Sequence, residues 1–195
     1  EENSYILKEI EQYTWENEDV PQMISGQLVG NFLKSIIKMI QAKRIVEIGM
    51  FTGFSALKMA EVLSDDGEIH TCELMDKHIK TAQQFFDKSN HGHKITIYSG
   101  PALESLGQLQ SGSFDMAFID ADKINYLEYY QICLTLINQN GIIILDNMLW
   151  GGNVINPTDD DSKSIQKTGN FIQKDDRVFN VLLPIRDGLM MCIKK

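Results

Sequence analysis

Apolar residues recur along the chain in two alternating rhythms, short β-branched runs and longer stripes at helical spacing. Ile45-Val46-Glu47-Ile48 is the clearest run. It reads as a strand that turns at Gly49, makes a short loop and enters a helix near Gly53 that extends from Phe54 to Leu63. Glu68 to Glu73, Lys94 to Tyr98, Phe114 to Asp120 and Ile142 to Leu145 read as further strands. Between them, Met75 to about Lys88 reads as a helix, Gly100-Pro101-Ala102 opens another, and Leu127, Tyr130, Cys133, Leu134 and Ile137 mark a third that Asn140-Gly141 ends. Upstream, Pro21 to Ile40 carries Leu28, Phe32, Leu33, Ile36, Ile37 and Ile40 on one stripe, and Ser4 to Tyr13 reads as a short helix interrupted at Val20-Pro21. Downstream, Gly151 to Asp161 is a polar loop and Ser162 to Lys174 a helix. Val178 to Ile185 and Leu189 to Lys194 form an antiparallel hairpin turning at Arg186-Asp187-Gly188.

Strands alternating with helices over short links predict an α/β domain with a mostly parallel, doubly wound sheet whose edge the C-terminal hairpin closes. Such sheets bind ligands outside the carboxyl ends of their strands. Here those ends carry Glu47, Glu73, Ser99, Asp120 and Asp146, which are expected to converge on one face.

Composition narrows the classes. At 195 residues and 43% hydrophobic content the chain suffices for one core, so a single domain over 1–195 is expected, with residues 1–20 as an N-terminal arm. A net charge of -9 disfavours nucleic acid and anionic membranes as partners and favours a small neutral or cationic ligand. Cys72, Cys133 and Cys192 lie far apart in apolar segments, without metal or redox spacing, and read as buried thiols. The chain has no apolar run long enough to cross a membrane, and the opening Glu1-Glu2-Asn3 has no signal-peptide pattern, so the expected location is cytoplasmic.

Two places carry candidate chemistry. Gly49 frees the backbone as it leaves its strand, and Gly53 would let a ligand approach the loop amides at a helix start. Met50 stands where a dinucleotide fingerprint has its middle glycine, which disfavours NAD, while Glu47 would repel a pyrophosphate and suit an amino group. On the two glycines alone, an ordinary strand-to-helix turn is an equal alternative. Glu73 ends the next strand about 20 residues on, where an acid commonly takes ribose hydroxyls. The second place is Ile119-Asp120-Ala121-Asp122-Lys123 with Leu145-Asp146-Asn147. Neighbouring parallel strands lie about 4.8 Å apart, so Asp120, Asp146 and Asn147 could meet around one Mg²⁺ through hard oxygen donors; capping of the following elements is the alternative. Asp159-Asp160-Asp161 reads instead as a solvated run.

Taken together, Val46-Glu47-Ile48-Gly49, Thr52-Gly53-Phe54-Ser55, Gly100-Pro101-Ala102-Leu103, Ile119 to Lys123 and Asp146 to Gly151 resemble the ordered motifs of the cation-dependent class I O-methyltransferases, the catechol and caffeoyl-CoA group with its small bacterial relatives. The resemblance runs from about Met23 to Pro184-Ile185-Arg186-Asp187-Gly188-Leu189. It implies a Rossmann-like, mostly parallel seven-stranded sheet with a C-terminal antiparallel hairpin, and a homodimer. It also implies methyl transfer from S-adenosylmethionine to a hydroxyl of a catechol-like acceptor with Mg²⁺, Mn²⁺ or Ca²⁺. By the resemblance, Glu47, Gly49, Met50 and Ser55 hold the methionine part of the cofactor, with Ser25 closing over it. Glu73 holds the ribose, Ala102 borders the adenine, and Asp120 and Asp122 lie along the cofactor. Asp120, Asp146 and Asn147 ligate the metal, and Lys123 is the base. Glu73 is a longer acid than the Asp common there, and the family's substrate-contacting arm is short or absent. Three other readings remain: methylation of a hydroxylated tRNA nucleoside, a non-catalytic cofactor-binding regulatory module, and, weakest, an NAD oxidoreductase.

Overall fold

The computed structural model describes residues 4–195; Glu1, Glu2 and Asn3, the start of the predicted arm, lie outside the described residues. The chain forms two compact units, one ending at Ser105 and the other beginning at Leu106.

In the first unit, helix α1 (Tyr5–Asn17) starts at Ser4, whose hydroxyl accepts from the Leu7 amide at 3.4 Å. It runs past the predicted end at Tyr13 because Leu7, Ile10 and Thr14 continue one buried face. That face joins Met50, Phe54, Leu57, Ala82, Phe85 and Phe86 in a hydrophobic cluster, so the predicted arm is part of the core. Helix α2 (Gly26–Ile40) buries Val29, Leu33, Ile36 and Ile37, whereas Leu28, placed on the stripe by spacing, is 62% exposed. The reason lies at Gly30, where a Cβ would come within 2.9 Å of Lys58 Cγ on α3 (Phe54–Ala60). The glycine face therefore turns inward and takes Leu28 out.

Strands β1 (Arg44–Ile48), β2 (Glu68–Glu73) and β3 (Ile95–Ser99) pair in parallel, with Glu47 beside Thr71 and Glu73 beside Ser99. Helix α3 ends earlier than Leu63, and every one of its residues is buried. Helix α4 (Asp76–Lys88) matches its expected span, and the short α5 (Ala102–Leu106) follows Gly100-Pro101.

In the second unit, β4 (Phe114–Ile119) pairs in parallel with β5 (Ile137–Leu145), and α6 (Tyr126–Leu136) precedes β5. The helix expected to reach Asn140-Gly141 stops at Leu136. Residues 137–140 belong to the strand instead, and the pairing shifts register between Phe114 and Met116. Asn140 takes φ 63°, a left-handed conformation that Asn tolerates, so Asn140-Gly141 marks an irregularity within the strand rather than a helix end. Helix α7 (Asp160–Lys174) is capped by Asp159, whose carboxylate accepts from the Ser162 amide at 2.8 Å, and Asp160 and Asp161 fill its first turn. The hairpin is present as expected: β6 (Val178–Leu183) pairs antiparallel with β7 (Leu189–Lys194), which pairs antiparallel with β5.

The strand order β3-β2-β1-β4-β5-β7-β6 is that of a seven-stranded, mostly parallel Rossmann-like sheet. Among the described residues no helix is long and apolar enough to cross a membrane. Cys72, Cys133 and Cys192 are all buried. Burial pushes the Cys72 and Cys192 thiols up to about 12, which suits core residues and not nucleophiles.

Candidate active site

The glycine loop lies between β1 and α3. Gly49 takes φ 90° and its amide bonds the Cys72 carbonyl at 3.1 Å, continuing the parallel ladder one step beyond the strand. Gly53 also takes φ 90°, but its neighbours differ from those a ligand-facing glycine would have. A Cβ there would lie 2.8 Å from the Phe86 ring and 2.9 Å from Ala82. Gly53 is therefore the contact at which α4 packs on the loop. Between the two glycines, Thr52 is fully buried and its hydroxyl meets that of Thr14 at 2.8 Å, which fastens the loop to α1.

Glu73 ends β2 facing this loop. Its Oε2 accepts from the Phe51 amide at 2.8 Å and its Oε1 from the Met75 amide at 2.9 Å. The carboxylate is thus held from both sides while 8% of the residue stays exposed. Glu47 is fully buried and accepts from the Thr71 hydroxyl at 2.6 Å. Ser25 and Ser55 are buried at the starts of α2 and α3, the Met50 side chain packs in the hydrophobic cluster, and Ala102 is half-buried. Gly100, just before Pro101, takes φ 110°, and a Cβ there would meet nothing within 4 Å, so conformation and not crowding calls for glycine. An acid with a small opening at the end of β2, beside a loop whose amides are ordered, fits a ribose. The buried Glu47 fits a cationic amino group.

The second unit holds Asp120, Asp122, Lys123, Asp146 and Asn147. Lys123 is buried, and its Nζ lies 3.3 Å from Asp120 Oδ1 and 2.5 Å from the Tyr126 hydroxyl, which in turn donates to the Asp146 carbonyl at 3.1 Å. Burial, and then the charges of Asp120 and Asp146, hold the Tyr126 hydroxyl well above the usual phenol range, so it remains a donor. Nζ also sits over the Tyr126 ring at 4.5 Å and the Trp150 ring at 5.7 Å. Trp150 thus walls the lysine. Asp146 is 1% exposed, and burial followed by the Asp120 charge pushes its carboxyl from 3.8 to about 7. Its Oδ1 accepts from the Asn147 amide at 2.7 Å. Asp122 accepts from Tyr129 and Asn125, both at 2.6 Å.

Among the described residues no three His, Cys, Asp or Glu side chains cluster as metal ligands. The candidate set is two carboxylates and one amide. Two acids, one of them buried and with its carboxyl pushed up by burial and by the charge of the other, make a hard-oxygen donor set whose repulsion a divalent cation would relieve. On that ground the residues fit Mg²⁺.

Several holding groups lie far along the chain from the residues they hold. The turn before β7 supports the loop after Asp146: Met148 and Leu149 donate to the Gly188 and Asp187 carbonyls at 2.9 Å, and Gly151 donates to Asp187 Oδ1 at 2.7 Å. A Cβ on Gly188 would fall 2.6 Å from Leu149 Cγ. Ser164 on α7 donates to the Lys123 carbonyl at 2.8 Å. Only Tyr126, three residues after Lys123, offers a local signal.

Comparison with known proteins places the chain in a family. The chain is 38% identical over 176 residues to caffeoyl-CoA O-methyltransferase 2 of Zea mays, covering 84% of this chain and 67% of that protein. It is 35% identical over 176 residues to caffeoyl-CoA O-methyltransferase 2 of Petunia hybrida, covering 84% and 73%. The structure of the O-methyltransferase from Bacillus cereus in complex with SAH superposes with a TM-score of 0.91 at 29% identity, over 100% of this chain and 92% of that one. The O-methyltransferase family profile matches residues 1–195, and the chain belongs to that family, with the caffeoyl-CoA O-methyltransferases among its relatives.

Proposed function

We propose that this O-methyltransferase uses S-adenosylmethionine and a divalent cation to methylate a hydroxyl of a catechol-like small molecule. The observation that carries the reading is the cluster in which Lys123 lies against Asp120 and Tyr126 while Tyr126 donates to the backbone of the buried Asp146. The names of the caffeoyl-CoA relatives and the SAH bound by the Bacillus cereus protein support it.

When bound, S-adenosylmethionine supplies an electrophilic methyl group and the cation a Lewis acid for the acceptor oxygen. Glu73 takes the ribose hydroxyls, Glu47 the amino group, and the Gly49 to Gly53 loop with Ser25 and Ser55 the remainder of the methionine part; Ala102 borders the adenine. Asp120, Asp146 and Asn147 hold the cation, and Lys123 takes the acceptor's hydroxyl proton. Tyr126 and the walling Trp150 fix where Nζ points, and the burial of Lys123 keeps bulk water from competing for that proton. Methyl transfer cancels charge instead of developing it, so alignment is the main contribution of these residues. The reading includes a cytoplasmic homodimer, which sedimentation of the purified protein checks.

The test is methyl transfer from labelled S-adenosylmethionine to a catechol panel, with Mg²⁺ or chelator, for the wild type and Asp146→Ala. Turnover that is lost with chelator and with the substitution supports the reading. Turnover that survives chelator removes the cation from it.

A further inference from the structure

His78, in the first turn of α4, is a buried residue that the reaction above leaves without a task. Its two ring nitrogens face two carboxylates. Nδ1 lies 3.5 Å from Glu73 Oε1, and Nε2 lies 3.4 Å from Oε2 of Glu18, the residue that caps the end of α1. Glu18 is itself a buried acid, its side chain 5% exposed, with Oε2 shared by Lys77 Nζ at 2.7 Å and Oε1 without a hydrogen-bond partner. The Phe51 ring packs edge-on against the imidazole at 4.7 Å, and the Phe51 amide is the donor to the other Glu73 oxygen. Loop, acid and imidazole therefore close a ring of contacts around Glu73.

Glutamate has one more rotatable bond than aspartate, and ordering it for a ligand carries a larger entropy loss. The Phe51 and Met75 amides each constrain one oxygen of Glu73. His78 supplies the third constraint, and through it Glu73 is connected to an acid at the end of α1. An imidazole ring is rigid, so its two nitrogens, one facing Glu18 and the other Glu73, move together.

We propose that His78 is a positioning residue that sets the Glu73 carboxylate for the vicinal hydroxyls of a ribose and couples this setting to the docking of α1 through Glu18. The inference rests on Glu73 as the ribose acid of the proposed function. It concerns a residue that would not touch the cofactor.

Asn and Gln divide the two nitrogens between them: Asn places an amide donor near the Nδ1 position, facing Glu73, and Gln places one near Nε2, facing Glu18. Calorimetric titration of His78→Asn, His78→Gln, His78→Ala and Glu73→Gln with S-adenosylhomocysteine and with its 2′-deoxyribose analogue reads out discrimination for the hydroxyl, with melting curves establishing that each variant is folded. His78→Ala and His78→Gln are expected to lose about three- to tenfold in affinity for the ribose ligand, the scale of leaving one long side chain to be ordered on binding, and little for the deoxy analogue. His78→Asn should retain most of the discrimination. Equal losses for both ligands, or the same behaviour from Asn and Gln, would overturn the inference and leave His78 a packing residue. If Glu73→Gln keeps full discrimination, Glu73 is not the ribose acid and the inference falls with that reading. If Glu73→Gln loses it while every His78 variant keeps it, the reading stands and only the role of His78 fails.

Discussion

Replacing Asp146 with Asn in chelator-treated protein should make the fold more stable, and more so as pH rises. The carboxyl stands at about 7 in the native state against its ordinary 3.8, with burial the first cause and the Asp120 charge the second. Between those values the native state holds a proton that the unfolded chain has released, so wild-type stability falls as pH rises through that window and the loss is complete above it. At 1.36 kcal/mol per pH unit, a rise of about three units sets a ceiling of about 4 kcal/mol. Local relaxation and water entry reduce this, and about 2 kcal/mol is the expected gain at pH 8. Asn keeps the side-chain oxygen that accepts from the Asn147 amide and removes the titrating proton. Urea unfolding of wild type and variant in chelator, from pH 5 to pH 8, measures the difference directly. The two stability curves should draw apart with rising pH, and a divalent cation added at pH 8 should narrow the gap by stabilising the wild type alone. A difference that stays constant across the pH series would refute the electrostatic argument and leave only a change in packing.

Other consequences separate the causes assigned above. Gly53→Ala meets both a φ of 90° and ring carbons at 2.8 Å, whereas Gly100→Ala meets only its φ of 110°; denaturant midpoints should show losses of roughly 3 and 1 kcal/mol respectively. Thr14→Val leaves the buried Thr52 hydroxyl without its partner and should cost about 1 to 2 kcal/mol by the same assay. Tyr126→Phe removes a contact of Lys123 Nζ and the donor to the Asp146 carbonyl; kcat for methyl transfer should drop about tenfold or more with little change in cofactor affinity, measured by steady-state kinetics and titration. Asp159→Ala removes the cap of α7 and should lower the denaturant midpoint without altering turnover.

Where a residue's role is set by its near neighbours, sequence is a sufficient guide. The strand-loop-helix around Gly49, the hairpin at Arg186-Asp187-Gly188 and the acids at the ends of β1, β2 and β4 are legible because turn chemistry and apolar runs are local signals. The departures have identifiable physical sources. Helical periodicity puts Leu28 inside, but the close approach of Gly30 to Lys58 rotates α2, a tertiary effect that spacing alone does not report. The apolar stripe of α6 continues through Ile137 into a strand without a break in hydrophobicity, so spacing places the boundary too late and makes β5 too short. Gly53 is a close-approach glycine, as its place in the loop suggests, but the approaching group is a helix.

Legibility fails in the same way at the candidate site. The side chains offered for chemistry lie at strand ends, where a motif can announce them. Those that hold them come from distant sequence: Thr14 for the loop at Thr52, Ser164 for the Lys123 backbone, Glu18 for His78. None of these positions needs a particular neighbour in sequence, so none forms a pattern. Each restrains a group that a strand end or loop has already placed, and geometry within about 0.5 Å separates a productive constellation from a loose one. For this chain the motifs therefore point to the reaction class, while the long-range contacts determine how firmly side chains such as Glu73 and Lys123 are held. Substitutions at Thr14, His78 and Tyr126 should consequently alter affinity or rate while leaving every motif intact.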